Sequence, residues 1–300
     1  MKKLGLIYNP AAGNGNAPLE LDSIIEILQG AGYDVGVFRA GGPAAGIDGY
    51  LARAGQAGLD AVCVCGGDGT VNLAVNAMLG RGLNAPLGII PCGTANDFAS
   101  FLNLPGDPLE AAKVVVAGDF VRADVGRVNG SYFVNVFAAG VFSGVSKALD
   151  QTAKNSFGKL AYYAKGLSEL QSFKPLRFRI SAPGGFLAEE ELYLAMVLNT
   201  AGTGGFRELS PLASITDGRL EFIGVRARTL GEMAVLFLRM LTQPRGYLSD
   251  ENIIYFSFES LRIEPLFGDE KYLATDTDGE AGPGLPAEIS VMPKALRVFV

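Results

Sequence analysis

The sequence contains no histidine. That absence excludes Ser-His-Asp hydrolysis, histidine-ligated zinc and a histidine general base. Any acid–base chemistry in this chain must use carboxylates, lysine, tyrosine or cysteine. Cysteine is scarce as well. Cys63 and Cys65 alternate on one short segment, and Cys92 stands alone. Neither a CxxC pair nor the spaced set of a disulfide framework is present. No apolar run reaches the roughly 18 residues of a membrane span. The apolar part of residues 1–8 is too short for a secretory leader and reads better as a first strand. The expectation is a cytoplasmic chain with no transmembrane segment. Positive charge is short too: 25 Lys+Arg against 31 Asp+Glu leave a net charge of −6. That balance argues against nucleic acid as a partner, because a phosphate backbone needs a basic surface.

What the chain has instead is apolar residues and glycine. Hydrophobic residues make up 49% of its 300 positions, enough for a large core, and 40 glycines fall between the apolar runs. This length suits two compact domains. Through the first 120 residues, strands expected at 4–8, 33–38, 61–65 and 87–90 alternate with helices at about 19–28, 43–57 and 71–79. Such alternation predicts a parallel sheet with helices on both faces. Beyond residue 120 the pattern becomes β-rich. It begins with a hairpin over 120–136 that turns at Asn129-Gly130. Further strands are expected at 176–182, 190–199, 219–226, 253–264 and 271–275, with helices at 156–172 and 229–243. A last strand at 295–300 can return to either half.

The stretch Val62-Cys63-Val64-Cys65-Gly66-Gly67-Asp68-Gly69-Thr70 organises the first half. A buried strand runs into a glycine turn, and helical periodicity follows at once. This arrangement aims backbone N–H groups and a positive helix end at an anion. The glycines let a polyphosphate approach the main chain. Thr70 can cap the helix or donate its hydroxyl to a phosphate. Asp68 is unfavourable in an anion site unless a cation such as Mg²⁺ joins it to the phosphate.

Four other segments carry chemistry. Asn9-Pro10-Ala11-Ala12-Gly13 reads alone as a surface turn, and it lacks the third glycine of a dinucleotide fingerprint. Pro91-Cys92-Gly93-Thr94-Ala95-Asn96-Asp97-Phe98 is a second phosphate-compatible turn. It would bring Asp97 beside Asp68 on one edge of the sheet, where ligands of such sheets bind. Ser210 to Leu220 ends in Asp217-Gly218 before a strand and reads alone as a plain turn. Asp276-Thr277-Asp278-Gly279-Glu280 is either a solvated acidic loop or a carboxylate base presented at a turn. In an extended chain its three acids would share one face and repel.

Taken in order, these segments resemble the diacylglycerol kinase catalytic-domain family, in particular the soluble bacterial lipid kinases. The resemblance spans essentially the whole chain. It is carried by Asn9-Pro10-x-x-Gly13, Gly66-Gly67-Asp68-Gly69-Thr70, Pro91-x-Gly93-Thr94-x-Asn96-Asp97-Phe98-Ala99, Asp124-Val125-Gly126, Asn135 with Gly140, Phe157-Gly158-Lys159-Leu160-Ala161-Tyr162, Pro211-x-Ala213-x-x-x-Asp217-Gly218 and Asp278-Gly279-Glu280. It implies an N-terminal α/β nucleotide-binding domain with a parallel sheet over 1–123 and a C-terminal antiparallel β-sandwich over 124–289. A strand at about 290–300 is free to rejoin the first domain. ATP and Mg²⁺ are the implied cofactors. By similarity, Asn9, Pro10, Gly13, Gly66, Gly67, Asp68, Gly69, Thr70, Asn72 and Thr94 would contact ATP, and Glu280 would be the general base, with Asp68 beside it as a catalytic carboxylate. Asp68, Asp97, Asp124 and Asp217 would form a carboxylate–water–Mg²⁺ network. Asp217, with Ser214 and Arg219, would hold a structural metal. The chain departs from the family at Ala12, where many members carry serine, and at Cys92, an unusual occupant of its loop.

The implied activity is transfer of a γ-phosphoryl group from ATP to a lipid hydroxyl, diacylglycerol first. A small-molecule kinase of NAD-kinase type and a non-catalytic nucleotide- or lipid-binding regulator are the alternatives. The substrate would lie at a membrane surface, so peripheral membrane association is expected, and the chain is compatible with a homodimer. Between 147 and 179, seven basic residues face two acidic ones. Within that region Lys154, Lys159 and Lys165 mix with aromatic side chains, which suits an anionic interface.

Overall fold

The computed structural model describes residues 1–13, 20–41, 45–140, 175–183, 187–204, 208–226, 229, 232, 235, 236, 239, 245–266 and 274–300. Residues 147–174 of the basic region expected to dock on a membrane, with the helix at 156–172, and residues 271–273 lie outside the described residues, while Arg177 and Arg179 of that region lie in a strand. Of the helix expected over 229–243, the described residues Glu232, Val235, Leu236 and Arg239 are helical.

The first unit alternates strand and helix: β1 (Lys2–Tyr8), α1 (Leu21–Gly30), β2 (Tyr33–Arg39), α2 (Ala45–Gln56), β3 (Ala61–Gly66), α3 (Asp68–Gly80), β4 (Leu87–Pro91), α4 (Asp97–Phe101) and α5 (Pro108–Ala117). Strands β1 to β4 are parallel in the order β2-β1-β3-β4. Period-two alternation sorts their side chains onto two faces. Leu4, Leu6, Cys63, Cys65 and Ile90 pack with Ile24 and Leu28 of α1 and with Ala111, Ala112 and Val115 of α5. Ile7, Val62, Val64 and Ile89 pack with Ile47 and Leu51 of α2 and with Val71, Val75 and Met78 of α3. Both faces are covered, as a parallel sheet requires.

The β-rich half contains β5 (Phe120–Val128), β6 (Ser131–Phe133), β7 (Val136–Gly140), β8 (Leu176–Ser181), β9 (Leu187–Leu192), β10 (Leu194–Leu198), β11 (Leu220–Val225), β12 (Ile253–Phe258), β13 (Ser260–Pro265), β14 (Thr275–Thr277), β15 (Glu280–Ala281) and β16 (Ala287–Phe299). A six-stranded antiparallel sheet runs β12-β11-β10-β7-β14-β15. It packs on the antiparallel part of the larger sheet through Phe137, Val197 and Phe222 on one side and Phe178, Ile263 and Ile289 on the other. The fold is therefore an α/β unit with a parallel sheet, joined to an antiparallel β-sandwich.

The joint is β16. It is antiparallel to β5 and β13 and parallel to β4, where Val298 stands opposite Leu87. The larger sheet of ten strands thus runs through both the 1–123 and the 124–289 segments. The last strand contacts both halves.

Several elements differ from their expected form: α4 and α5 are not among the expected helices, and the last strand, expected at 295–300, spans Ala287–Phe299. The strands expected at 190–199 and 253–264 are each two strands. The chain passes from the large sheet to the small one at Tyr193, and back at Glu259. The first crossing lies inside the apolar run from Leu192 to Leu198, which gives no sign of a break, whereas the polar pair Glu259-Ser260 interrupts the apolar alternation at the second. Helix α3 begins at Asp68 rather than 71, so the Asp-Gly-Thr of the glycine motif is its first turn. Among the described residues, no helix is long and apolar enough to cross a membrane.

Candidate active site

The turns after β1, β3 and β4 meet at one edge of the parallel sheet. Asn9 N–H donates to Cys65 O and Cys92 N–H to Gly66 O, each at 2.9 Å. The glycines of these turns touch main chain to main chain. A Cβ on Gly93 would stand 2.5 Å from Gly67 Cα, and one on Gly13 would stand 2.4 Å from Cys92 O. Any side chain at these positions would force the turns apart, so glycine is required by close approach. Gly67 ends the strand in extended conformation and caps α3 with no side-chain bond. The helix geometry leaves the first N–H groups of α3 without intrahelical acceptors. Together with the positive helix end, they form a place for an anion.

The side chains of the first turn brace this platform. Asn9 Oδ1 accepts from Ala11 N–H at 3.0 Å, and Asn9 Nδ2 donates to Thr70 Oγ1 at 3.0 Å. Thr70 is buried, and its hydroxyl holds the first loop to the first turn of α3. Pro10 follows Asn9 at the head of that loop, half-buried. In the third turn, Asn96 takes up left-handed φ at 49° and closes on Gly93 from both sides. Gly93 N–H donates to Asn96 Oδ1 at 2.8 Å, and Asn96 Nδ2 donates to Gly93 O at 2.9 Å. Thr94 stands exposed at the tip.

Asp68 opens α3 beside this platform. Phe98 N–H donates to its Oδ1 at 3.4 Å. Burial pushes its carboxyl up to about 6, and the charges of Asp97 and Asp278 push the same way. Asp97 Oδ2 accepts from Gly204 N–H at 2.6 Å. Ionised carboxylates crowded in this way favour a cation. Among the described residues, no three acidic or thiol side chains converge into a metal cage. A divalent ion here would use one or two carboxylates plus phosphate and water oxygens, which is how Mg²⁺ is usually held. The donor set fits that ion.

Glu280 arrives from the other half of the molecule. Strands β14 and β15 pair Asp276 with Ala281 and Thr277 with Glu280. Between them Asp278 and Gly279 both have positive φ, at 52° and 86°, the conformation of a two-residue type I′ turn. The acids of this segment therefore do not share one face. Asp276 and Asp278 are buried, and Glu280 is exposed. Asp278 Oδ2 accepts from Val134 N–H at 2.7 Å and Asn72 Nδ2 at 2.8 Å, and its Oδ1 from Asn135 and Val136 N–H at 2.8 Å each. Burial pushes the Asp278 carboxyl up, and these four donors oppose the shift. Asp276 Oδ1 accepts from Gly279 N–H at 2.8 Å and fixes the turn from behind. With the hairpin so held, Glu280 Oε1 lies 2.7 Å from the point a Cβ on Gly69 would occupy. The carboxylate stands over the first turn of α3, in space left by a glycine.

The remaining candidates fall into two groups. Asn72 spends its amide inside the protein, on Asp278 and on Tyr132 O at 3.1 Å. It ties α3 to the Glu280 hairpin. Asp124 is fully buried, with its carboxylate taken by Gly218 N–H and Lys294 N–H at 2.7 Å each. It acts as a clamp between the Asp217-Gly218 turn and β16. Asp217 is exposed and accepts from Arg219 N–H at 3.0 Å, while Ser214 Oγ lies 3.2 Å from Thr216 Oγ1. Asp68 and Asp97 are thus brought together, whereas Asp124 bonds main-chain groups of two other segments. Sequence reasoning passed over Asn199. Its amide bridges Asp124 O at 3.0 Å and Val134 O at 2.9 Å and so links the Asp124 clamp to the Asp278 turn. An isolated asparagine at a strand end carries no sequence signal for that bridge.

Two family models together match most of the chain. Residues 3–128 match the family model described as diacylglycerol kinase catalytic domain. Residues 135–300 match the model described as YegS C-terminal NAD kinase beta sandwich-like domain. A diacylglycerol kinase of Bacillus subtilis (strain 168) is 33% identical over 100% of this chain and 97% of its own length. A diacylglycerol kinase of Staphylococcus aureus (strain bovine RF122 / ET3-1) is 31% identical over 99% of this chain and 92% of its own. The crystal structure of a diacylglycerol kinase from Bacillus anthracis str. Sterne superposes with a TM-score of 0.79 at 28% identity, covering 99% of this chain and 96% of the other.

Proposed function

The chain belongs to the diacylglycerol kinase family, whose members are phosphotransferases with an alcohol acceptor, and from that premise we propose that it moves the γ-phosphoryl group of ATP to a lipid hydroxyl, diacylglycerol being the first candidate. One observation carries the proposal: the Glu280 carboxylate stands over the glycine-opened first turn of α3, beside a helix terminus built for an anion. A base next to a phosphate site is what transfer to a hydroxyl requires.

In this reading, the turns at Gly13, Gly67 and Gly93 let the phosphates lie against main-chain N–H groups. The open amides of α3 then stabilise charge on the transferring group. Glu280 accepts the proton of the attacking lipid hydroxyl. Asp278 and Asp276 act as positioning residues that hold the Glu280 turn. Asp68 and Asp97 would hold Mg²⁺, which when bound offsets the negative charge of the polyphosphate. The membrane surface is the source of the lipid substrate, and the protein meets it peripherally.

The test is incubation of the protein with labelled ATP and Mg²⁺ and a panel of lipid alcohols in mixed micelles, run beside NAD and sugar phosphates. Labelled phosphatidic acid is the expected product. Transfer to the soluble acceptors alone would replace the lipid-kinase reading. No transfer to any acceptor, with ATP still bound, would make the chain a nucleotide-binding regulator.

A further inference from the structure

The site's platform contains a pair of thiols with no part in phosphoryl transfer. Cys65, the fifth residue of β3, and Cys92, the first residue after β4, point to the same face of the sheet, and their sulfurs are 3.1 Å apart. The strand register explains the meeting. Cys65 stands opposite Ile90, and Cys92 is two residues further along the same face, on the diagonal. Cys65 is buried, and Cys92 is partly exposed at the ligand edge. The contact with Cys92, and then burial, push the Cys65 thiol up, while the same contact holds Cys92 below the ordinary thiol range. Cys63 is fully buried and pushed up to about 12, so it is chemically quiet. The pair therefore joins an accessible, more acidic thiol to a buried partner already in contact. This is the arrangement of an attacking and a resolving cysteine.

We propose that Cys65 and Cys92 form a reversible, hydroperoxide-driven disulfide that locks the second and third glycine turns of the site together. The chemistry balances with the hydroperoxide as sole co-reactant. Cys92 sulfur attacks one peroxide oxygen, the O–O bond breaks, and the alcohol (or water) leaves with the Cys92 proton. Cys92 is then a sulfenic acid. Cys65 sulfur attacks the Cys92 sulfur, an S–S bond forms, and the sulfenic oxygen leaves as water with the Cys65 proton. Two thiols are oxidised by two electrons, and the hydroperoxide is reduced.

The cross-link has a mechanical reach. A disulfide closes the two sulfurs from 3.1 Å to about 2.05 Å and ties Cys92 covalently to β3. Cys92 O is the atom against which Gly13 packs, and Gly93 is the residue that touches Gly67. All three turns share that contact. Only the last link of the inference, from turn to nucleotide, rests on the kinase reading.

The reduced full-length protein is treated with a small molar excess of hydrogen peroxide, then denatured, alkylated and weighed. Two of the three thiols are expected to be lost, with Cys65 and Cys92 peptides joined within one chain and freed again by dithiothreitol. Cys63→Ala should give the same linkage. In Cys65→Ala, Cys92 should go on to sulfinic and sulfonic acids that dithiothreitol does not reverse. Amide exchange of the peptide holding Cys92 to Asn96 should slow on oxidation in wild type and not in Cys65→Ala. Three thiols surviving peroxide, a bridge that uses Cys63, a bridge between chains, or unchanged exchange in the bridged protein would each overturn the proposal. Oxidation should also shrink the thermal shift produced by ATP. A reduced protein that shows no shift with ATP would count against the kinase reading and leave the thiol and exchange results to judge the disulfide.

Discussion

Glu280 and Gly69 come from opposite ends of the chain, and each makes sense only beside the other. A base must stay open to its substrate, and Glu280 is exposed while its hairpin is fixed on both sides. Glu280→Gln should keep the fold and the ATP-induced thermal shift and lower turnover by about 10²–10⁴-fold, the usual worth of a positioned base; near wild-type turnover under chemistry-limited conditions would remove it from that role. Gly69→Ala tests the pairing from the other side. Its Cβ would displace only the end of a flexible side chain, and alanine favours a helix over glycine by about 1 kcal/mol. Melting temperature should hold or rise while turnover falls by about ten- to a hundred-fold from a misplaced base, and unchanged turnover would show that Glu280 has no need of that space. Asp68 supplies a pH test. Its folded value, raised to about 6 by burial and by Asp97 and Asp278, lies above the unfolded carboxylate value of about 4. Ionising it therefore costs stability. The cost is absent below about pH 4, grows as pH rises toward about 6, and is complete above that. In a metal chelator at pH 7.5, Asp68→Asn should be more stable than wild type by about 1–3 kcal/mol, with the difference gone near pH 4; equal melting at both pH values would sink the assignment. At this scale the absence of histidine left carboxylates, lysine, tyrosine and cysteine open as bases, and the part given to Glu280 came from the family resemblance. It did not show where a side chain points. The resemblance gives Asn72 a contact with ATP, and in the fold its amide bonds Asp278 and Tyr132.

Among the elements, the β14–β15 hairpin is the one on which the site depends. Its turn is folded by a side chain reaching into the protein: Asp278 collects the N–H groups of Val134, Asn135 and Val136 and the amide of Asn72. Each buried donor left unsatisfied costs about 1–3 kcal/mol, so Asp278→Ala should lose at least about 3 kcal/mol of stability. Turnover should fall with it even well below the melting temperature, since Glu280 is two residues away. Denaturant titration and single-turnover kinetics on one preparation separate the two effects, and a stable variant with full turnover would mean the turn folds without its anchor. The alternating elements of the first unit were readable because apolar period and turn residues agree there, from β1 to β4. Helix α5 is not among the expected helices, although Asp107 as N-cap, Pro108 at its first position and Gly118 at its left-handed end are the signals of one. The break at Tyr193 was not legible, because Leu192 to Leu198 is apolar throughout, whereas the break at Glu259 is marked by the polar pair Glu259-Ser260, after which the apolar residues move from even to odd positions. The start of α3 was missed for a different reason. Glycines that read as a turn become helical when Gly67 O accepts from Thr70 and Val71 N–H.

For the molecule as a whole, the proposed division near residue 123 cuts through one sheet. Residues 1–123 produced alone would keep β1 to β4 and lose the strand that flanks β4 and most of β5. An open, apolar strand edge invites association, so this fragment should elute as aggregates and melt without a cooperative transition. A monomeric fragment with a sharp transition would show that the first unit closes its own sheet. The Asp124 clamp adds to the coupling, since one buried carboxylate holds both the Asp217 turn and Lys294 of β16. Asp217→Ala, if that turn carries a structural ion, should lower the melting temperature in Mg²⁺ but not in chelator, because metal binding adds to folding free energy; the same melting temperature in Mg²⁺ as wild type would count against the ion. The position of β16 has one more consequence, in time. It is translated after every other described strand of either sheet, so on the ribosome the first unit waits with an unfinished edge while more than half of these 300 residues are still to come. Its centre closes only by contacts between distant parts of the sequence, which form slowly. The emerging protein should therefore lean on holding chaperones until its last strand is free, and a stalled or shortened message should yield a product that is cleared and not a half-active one.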